Sequence, residues 1–172
     1  PSEVRYLTNK QNVGQHQSVL RGLEQANMPL SVVMDADLQD QPGYIPLLLE
    51  ALKSPYEAVY LKRDDVYQGL GRMFTSRVIK LIVFALTGLH FKAGMYIVMS
   101  AQARSRVLRM PRQHAYVSIM LAGAGLPYTY VQGRRVKRVA GKSAYTFTKR
   151  VQAAMRALRC WWSCRNFKSV PD

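Results

Sequence analysis

The sequence predicts an α/β domain, a mostly parallel sheet with helices on both faces. Short apolar runs alternate with helix-length amphipathic stretches along the chain, the pattern of strand–helix–strand units. One run, Leu30-Ser-Val-Val-Met34, ends in two carboxylates one residue apart, Asp35 and Asp37. Ligands of open α/β sheets sit at such carboxyl ends of strands. A chain of 172 residues that is 48% hydrophobic can bury one sizeable core, so one domain is expected.

The elements follow in order. Val4-Arg-Tyr-Leu-Thr8 reads as a strand and residues 14–25 as a helix. Ser31-Val-Val-Met34 is a strand, and Pro42 opens a helix over 43–53. Glu57-Ala-Val-Tyr-Leu61 is the next strand, followed by a helix over 71–86. Residues 94–99 form a strand and 101–108 a helix. A helix over 114–123 is closed by Gly123 and Gly125. Strands over 128–131 and 135–139 precede a final helix over 146–162, and residues 163–172 read as a polar tail. The chain shows no internal repeat and no low-complexity segment.

Charge narrows the partners. With 25 Lys and Arg against 10 acids the net charge is +15, which argues for an anionic membrane surface, nucleotide phosphates or nucleic acid. The basic residues are dispersed rather than set in a nucleic-acid-binding module, so nucleic acid ranks lowest. Cys160 and Cys164 make neither a disulfide framework nor a zinc site and read as unpaired structural thiols. No signal peptide is visible at the N-terminus. Lys80, His90 and Lys92 interrupt the most apolar stretch, 78–99, which argues against a transmembrane helix there. His16, His90 and His114 have no partner spacing and read as structural or surface residues.

In an extended segment Asp35, Asp37 and Gln39 point the same way, because side chains alternate with period two. Hard oxygen ligands at that spacing suit Mg²⁺ or Mn²⁺, which take their remaining ligands from water and phosphate. The same residues also read as a loop of solvated acids. Asp40 reads as a further ligand or as a helix-initiating acid before Pro42.

The stretch Asp35-Ala-Asp-Leu-Gln-Asp-Gln-Pro-Gly-Tyr-Ile-Pro resembles the D-A-D-L-Q signature of family 2 glycosyltransferases, in their polyprenyl-phosphate, dolichyl-phosphate mannosyltransferase-like branch. Three further blocks agree in order: Asn12-Val-Gly with the helix to Leu23, Arg72-Met-Phe-Thr-Ser76, and Arg138-Val-Ala-Gly-Lys-Ser-Ala-Tyr145. The resemblance implies a GT-A (Rossmann-like) fold over residues 1–162, with 143–162 as an amphipathic interfacial helix. It implies a nucleotide-sugar donor whose diphosphate and metal ion (Mg²⁺ or Mn²⁺) are held by Asp35, Asp37 and Gln39. It also implies a polyprenyl-phosphate acceptor whose phosphate is bound by Arg63, Arg72, Ser76, Arg138 and Lys142, the last two from the late block. The family opens with two strands ending in P-x-Y-N and D-D-G-S that grip the nucleoside. Neither motif occurs here, so the resemblance implies a domain missing its first strands.

Independently of the family, Arg72, Ser76 and Lys80 form one polar stripe at helical spacing. Such a stripe suits a phosphate monoester and equally suits a solvated face. Phe147, Val151, Ala154, Met155, Leu158 and Trp162 give the final helix an apolar face beside Lys149, Arg150, Arg156 and Arg159. It reads as an interfacial helix on anionic lipid or as an ordinary core-packing helix. Met95 stands where the branch often has an Asp, so no general base is named, and Ala144 replaces a cation of the late block.

A metal-dependent transfer of a sugar to a polyprenyl phosphate is the reading that results. Its rival is an inactive fragment that binds anionic membranes. A dehalogenase-type phosphatase also uses Asp-x-Asp, but wants Thr or Val where Gln39 stands. A homo-oligomer is compatible with the sequence.

Overall fold

The computed structural model describes residues 3–63, 84–85, 88–90, 92–134, 147–165 and 167. Among these, the order is α1 (Gln15–Gln25), β1 (Leu30–Val33), a 3₁₀ turn (Pro42–Tyr44), α2 (Ile45–Ala51), β2 (Ala58–Arg63) and β3 (Ala93–Ser100). Then come α3 (Ala101–Arg109), α4 (Val117–Gly123), β4 (Tyr128–Gly133) and α5 (Phe147–Arg165). The expected helix over 71–86, apart from Phe84 and Ala85, and the expected strand over 135–139 lie outside the described residues.

The sheet order is β1-β3-β2-β4. β3 pairs antiparallel with both neighbours, Val33 and Tyr60 each facing Ile97. β2 and β4 pair in parallel from Ala58 with Tyr128 to Arg63 with Gly133. β1, β2 and β4 therefore share one direction, and only β3 opposes it. Mostly parallel describes the strand directions, whereas two of the three pairings are antiparallel.

Period-two alternation on β3 divides the core. Met95, Ile97 and Met99 face a large cluster with Leu20 and Leu23 of α1, Val107 of α3, Ile119 and Met120 of α4, and Ala157 of α5. Tyr96 and Val98 face the other way, with Val59 and Leu61, onto Leu48 of α2. A strand covered on both faces reads as a continuous apolar run, as Met95 to Met99 does. Each such side chain contributes about 1.5–3 kcal/mol of burial. α3 starts directly after β3 because Ser100 caps it, its Oγ accepting the Ala103 N–H at 3.1 Å.

Three expectations need correction. Val4 to Thr8 is not a strand: Val4, Tyr6 and Leu7 are exposed, and among the described residues no strand pairs with this segment. A lone extended segment without a ladder partner leaves its backbone to water. α4 begins at Val117 rather than 114, since Tyr116 is extended and the Val117 N–H donates to His16 Nδ1 at 3.3 Å. α5 runs on to Arg165, through the first part of the expected tail, because Cys164 is buried. On α5, for which both an interfacial and a core-packing role were open, Ala157, Cys160 and Cys164 are buried, while Met155 is 47% and Trp162 67% exposed. Small residues let α5 approach closely, and a Cβ on Gly123 of α4 would lie 3.1 Å from Cys164 Cβ. The two cysteines are free thiols with Sγ atoms 3.9 Å apart, and their shared hydrogen bond, with burial, pushes the Cys160 thiol up.

Tyr60 is fully buried and donates to the Ser118 carbonyl at 2.9 Å, tying β2 to α4. Tyr60→Phe should cost about 1 kcal/mol in urea unfolding, one net hydrogen bond with packing retained. His16 on α1 stacks on Tyr116 at 4.2 Å, and burial first, then Arg156, lower its pKa to about 4, while Asp35 acts weakly the other way. Between about pH 6.5 and 4 the unfolded chain binds the extra proton, so His16's contribution is complete above 6.5 and lost as pH falls to 4. Partial exposure limits this to on the order of 2 kcal/mol. Unfolding midpoints across that range should fall more steeply for the native chain than for His16→Gln.

Candidate active site

Because β1, β2 and β4 run the same way, their carboxyl ends lie along one edge of the sheet. The acidic segment leaves β1 there, Arg63 is the last residue of β2, and Arg134 follows the last residue of β4. Two strand spacings separate the ends of β1 and β2, roughly 10 Å. The acidic segment and the backbone of Arg63 thus leave the sheet on either side of β3, a separation suited to a metal-bound diphosphate and a second phosphate.

The acidic segment does not continue the strand. Residues 36–38 bend, and Leu38 adopts a left-handed φ of 62°. Alternation therefore fails as the reason for Asp35, Asp37 and Gln39 to converge. Local hydrogen bonds organise the loop instead. Asp37 Oδ1 accepts the Gln39 N–H at 3.1 Å, an Asx-type turn. Gln15, at the start of α1, donates from Nε2 to Asp35 Oδ1 at 2.7 Å. The buried Asp40 turns back and accepts the Asp35 N–H through Oδ2 at 3.2 Å. Asp40 is therefore not the helix cap; Gln41 holds that position without a side-chain bond.

Two tyrosines fasten the far side of the loop. Tyr96 of β3 donates to the Gln41 carbonyl at 2.9 Å, and its pKa is raised by burial first and then by Asp40. Tyr44 Oη accepts the Arg134 N–H at 2.9 Å, joining the loop's end to the end of β4. Lys62 and Lys92 gather beside His90 at the start of β3, with Lys62 paired to Ala93. Burial and then these two cations lower the His90 pKa.

Asp35, Asp37 and Gln39 thus lie together, with Asp35 and Asp37 half-buried. Among the described residues no three His, Cys, Asp or Glu side chains form a ready metal cage. Two carboxylates and an amide fit a hard cation that draws its other ligands from water and phosphate. The backbone of Arg63 is at the same edge. Arg72, Ser76, Arg138 and Lys142 lie outside the described residues. Met95 is buried with its sulfur 3.4 Å from Ser118 Oγ, and a thioether takes no proton at neutral pH. Sequence reasoning missed Gln15, Tyr44, Tyr96 and Arg134, whose roles arise from contacts distant in the chain.

The chain is similar to three curated transferases named undecaprenyl-phosphate 4-deoxy-4-formamido-L-arabinose transferase. The protein from Photorhabdus laumondii subsp. laumondii is 26% identical over 161 residues, covering 91% of this chain and 49% of the relative. That from Pseudomonas paraeruginosa is 26% identical over 159 residues, covering 91% and 47%. That from Pectobacterium atrosepticum is 27% identical over 160 residues, covering 91% and 48%. The chain spans about half the length of these relatives. The family model for glycosyl transferase family 2 matches residues 1–114, which include α1, β1, the acidic loop and all of β2 and β3. On that match the chain belongs to glycosyl transferase family 2.

Proposed function

We propose that this chain transfers a sugar from a nucleotide-sugar donor to a polyprenyl phosphate at the cytoplasmic membrane face, with Mg²⁺ or Mn²⁺. The observation that carries the reading is the braced acidic loop at the sheet's carboxyl edge, where the backbone of Arg63 and of Arg134 also leaves the strands, in a family 2 chain. The relatives' names, which specify an undecaprenyl-phosphate sugar transferase, support the acceptor class. Among the described residues no helix is long and apolar enough to cross a membrane.

Asp35, Asp37 and Gln39 would hold the metal ion, which when bound supplies charge neutralisation for the departing nucleoside diphosphate. Gln15 and Asp40 orient Asp35 before substrate arrives, so that little reorganisation is left for the reaction itself. An oxygen of the acceptor phosphate attacks the anomeric carbon as the bond from that carbon to the diphosphate breaks. The acceptor is already ionised, so Met95 in place of an acid removes no necessary proton transfer. Arg63 supplies positive charge for the acceptor, joined at the described edge by Arg134.

Asp35→Asn and Asp37→Asn should each lower kcat/KM on the order of 100-fold, about 2.7 kcal/mol. The measurement is transfer from labelled nucleotide sugar to a prenyl phosphate, with EDTA abolishing and Mn²⁺ restoring the native rate. Wild-type rates in both variants would rule out the metal–diphosphate role. Asp40→Ala should leave the far-ultraviolet spectrum intact but loosen the loop, weakening nucleotide binding about tenfold, as read by calorimetry with manganese and a nucleoside diphosphate.

A further inference from the structure

Cys160 and Cys164 stand one helical turn apart on the buried face of α5, and the transfer chemistry uses neither. Both are free thiols, and their Sγ atoms lie 3.9 Å apart, joined by a shared hydrogen bond. Four residues of helix rise about 6 Å, within the roughly 4.4–6.8 Å that separates the Cα atoms of disulfides. The two sulfurs need only approach each other along the helix for a bond to form. Cβ atoms at this helical spacing lie about 5–6 Å apart, wider than the roughly 3.5–4.5 Å of a relaxed disulfide. A bond closed here therefore draws the turn together and is readily reduced again.

Packing alone does not account for two thiols within reach of one another. The contact with α4 demands small side chains, since a Cβ on Gly123 would lie 3.1 Å from Cys164 Cβ. Alanine meets that demand equally, as the buried Ala157 does on the same face. The surroundings also favour a nucleophilic sulfur. α5 carries Lys149, Arg150, Arg156, Arg159 and Arg165 and no acid, the electropositive setting that promotes thiolate. The shared hydrogen bond, with burial, pushes the Cys160 thiol up, and it holds Cys164 below its ordinary value against the opposing effect of burial. Cys164 sits in the last turn of α5, which ends at Arg165, and helix ends open locally at least cost. Such opening admits a small oxidant to sulfurs that the closed helix covers.

We infer that Cys160 and Cys164 are a reversible oxidation site, which hydrogen peroxide closes to a disulfide within α5. The Cys164 sulfur attacks one peroxide oxygen, the O–O bond breaks, and the displaced hydroxide takes a proton and leaves as water. Cys164 is then a sulfenic acid. The Cys160 sulfur attacks the Cys164 sulfur, the S–O bond breaks, and the hydroxyl departs with the Cys160 proton as a second water. Each thiol gives up one electron, and one peroxide is reduced by both. A partner sulfur this near traps the sulfenic acid before more oxygen adds, which keeps the oxidation on its reversible step. A dithiol reductant restores the pair by exchange. The closed bond alters the spacing of the turn that packs against Gly123, so the oxidised form bears on the α4–α5 contact.

The test is treatment of the folded 172-residue chain with hydrogen peroxide, then alkylation, trypsin and mass spectrometry. Cleavage after Arg159 and Arg165 releases both cysteines in one peptide, residues 160–165. The native chain should yield that peptide unalkylated and lighter by two hydrogens, and dithiothreitol should restore both alkylation sites. C160S should still react at Cys164 but stop at a sulfenic or sulfinic acid, whereas C164S should react at least about tenfold more slowly. Serine replaces each thiol at nearly the same size, and circular dichroism checks that the helix content is kept. Should a variant fail to fold, the native chain still decides. Thiols that stay alkylatable in the folded chain, under conditions that oxidise them in urea, overturn the inference and leave the pair as packing residues. Oxygen added to one cysteine while the other stays free overturns it too, as does a bond between chains, seen as a dimer on a non-reducing gel. The readout is covalent and needs neither sugar donor nor metal, so it stands or falls apart from the transferase reading.

Discussion

β3 lies between β1 and β2 and pairs antiparallel with both, and this single insertion sets the direction of everything beside it. Two strands that oppose the same neighbour must run parallel to each other. β4 adds in parallel to β2, so three chain segments leave the sheet at one edge. Nothing about the acidic residues themselves requires this; it follows from the pairing of a strand whose residues Met95 to Met99 are all buried. Register is strongly fixed on such a strand, because a one-residue slip exchanges Ile97 and Val98 between two differently shaped cores. The chemistry at the edge depends on hydrophobic packing several residues away from it.

Packing delivers the acidic loop to the edge, and polar contacts then give it a shape. Left to itself, a bend with a left-handed Leu38 among three acids would sample many conformations. Contacts from α1, from Asp40, from β3 and from the end of β4 converge on it. Asp40 is the least expected of these. A buried carboxylate is costly unless it is hydrogen-bonded, and it is retained here where it fixes the backbone of a neighbouring acid. α1, β3 and, through Tyr44, the end of β4 thus hold a loop that Asp40 closes from within.

Much of the fold was legible in the sequence, for identifiable reasons. The apolar runs at β1, β2 and β3 and the amphipathic helices α1 and α3 follow period-two and 3.6-residue patterns that local composition reveals. The antiparallel course of β3 was not legible, since a doubly covered strand has the same composition in either direction. Val4 to Thr8 shows the converse error: strand-like residues need a neighbour, and propensity cannot supply one. At the site, the alternation expected to turn Asp35, Asp37 and Gln39 the same way does not apply. Alternation stops where the strand stops, at Val33. Gln15, Tyr44 and Tyr96 are ordinary residues in the sequence whose contacts come from the tertiary fold, so no spacing could have marked them.

α5 shows how far a periodic pattern can mislead about which face is inside. Its apolar residues suggest a stripe containing Met155 and Trp162, yet the fold selects Ala157, Cys160 and Cys164. Distance decides the matter. Gly123 on α4 leaves room for the Cys164 Cβ and the Trp161 ring edge, and a bulkier inner face would push the helices apart. Small residues therefore face inward because close approach gains contact along the whole helix pair, and the larger apolar side chains are left on the flank. Folding alone gives no return for that exposure, and a helix serving only as packing could carry polar residues there instead. The same helix that closes the core through its small residues thereby presents a cationic and apolar outer surface. Core and outer surface are thus two consequences of one choice of helix rotation.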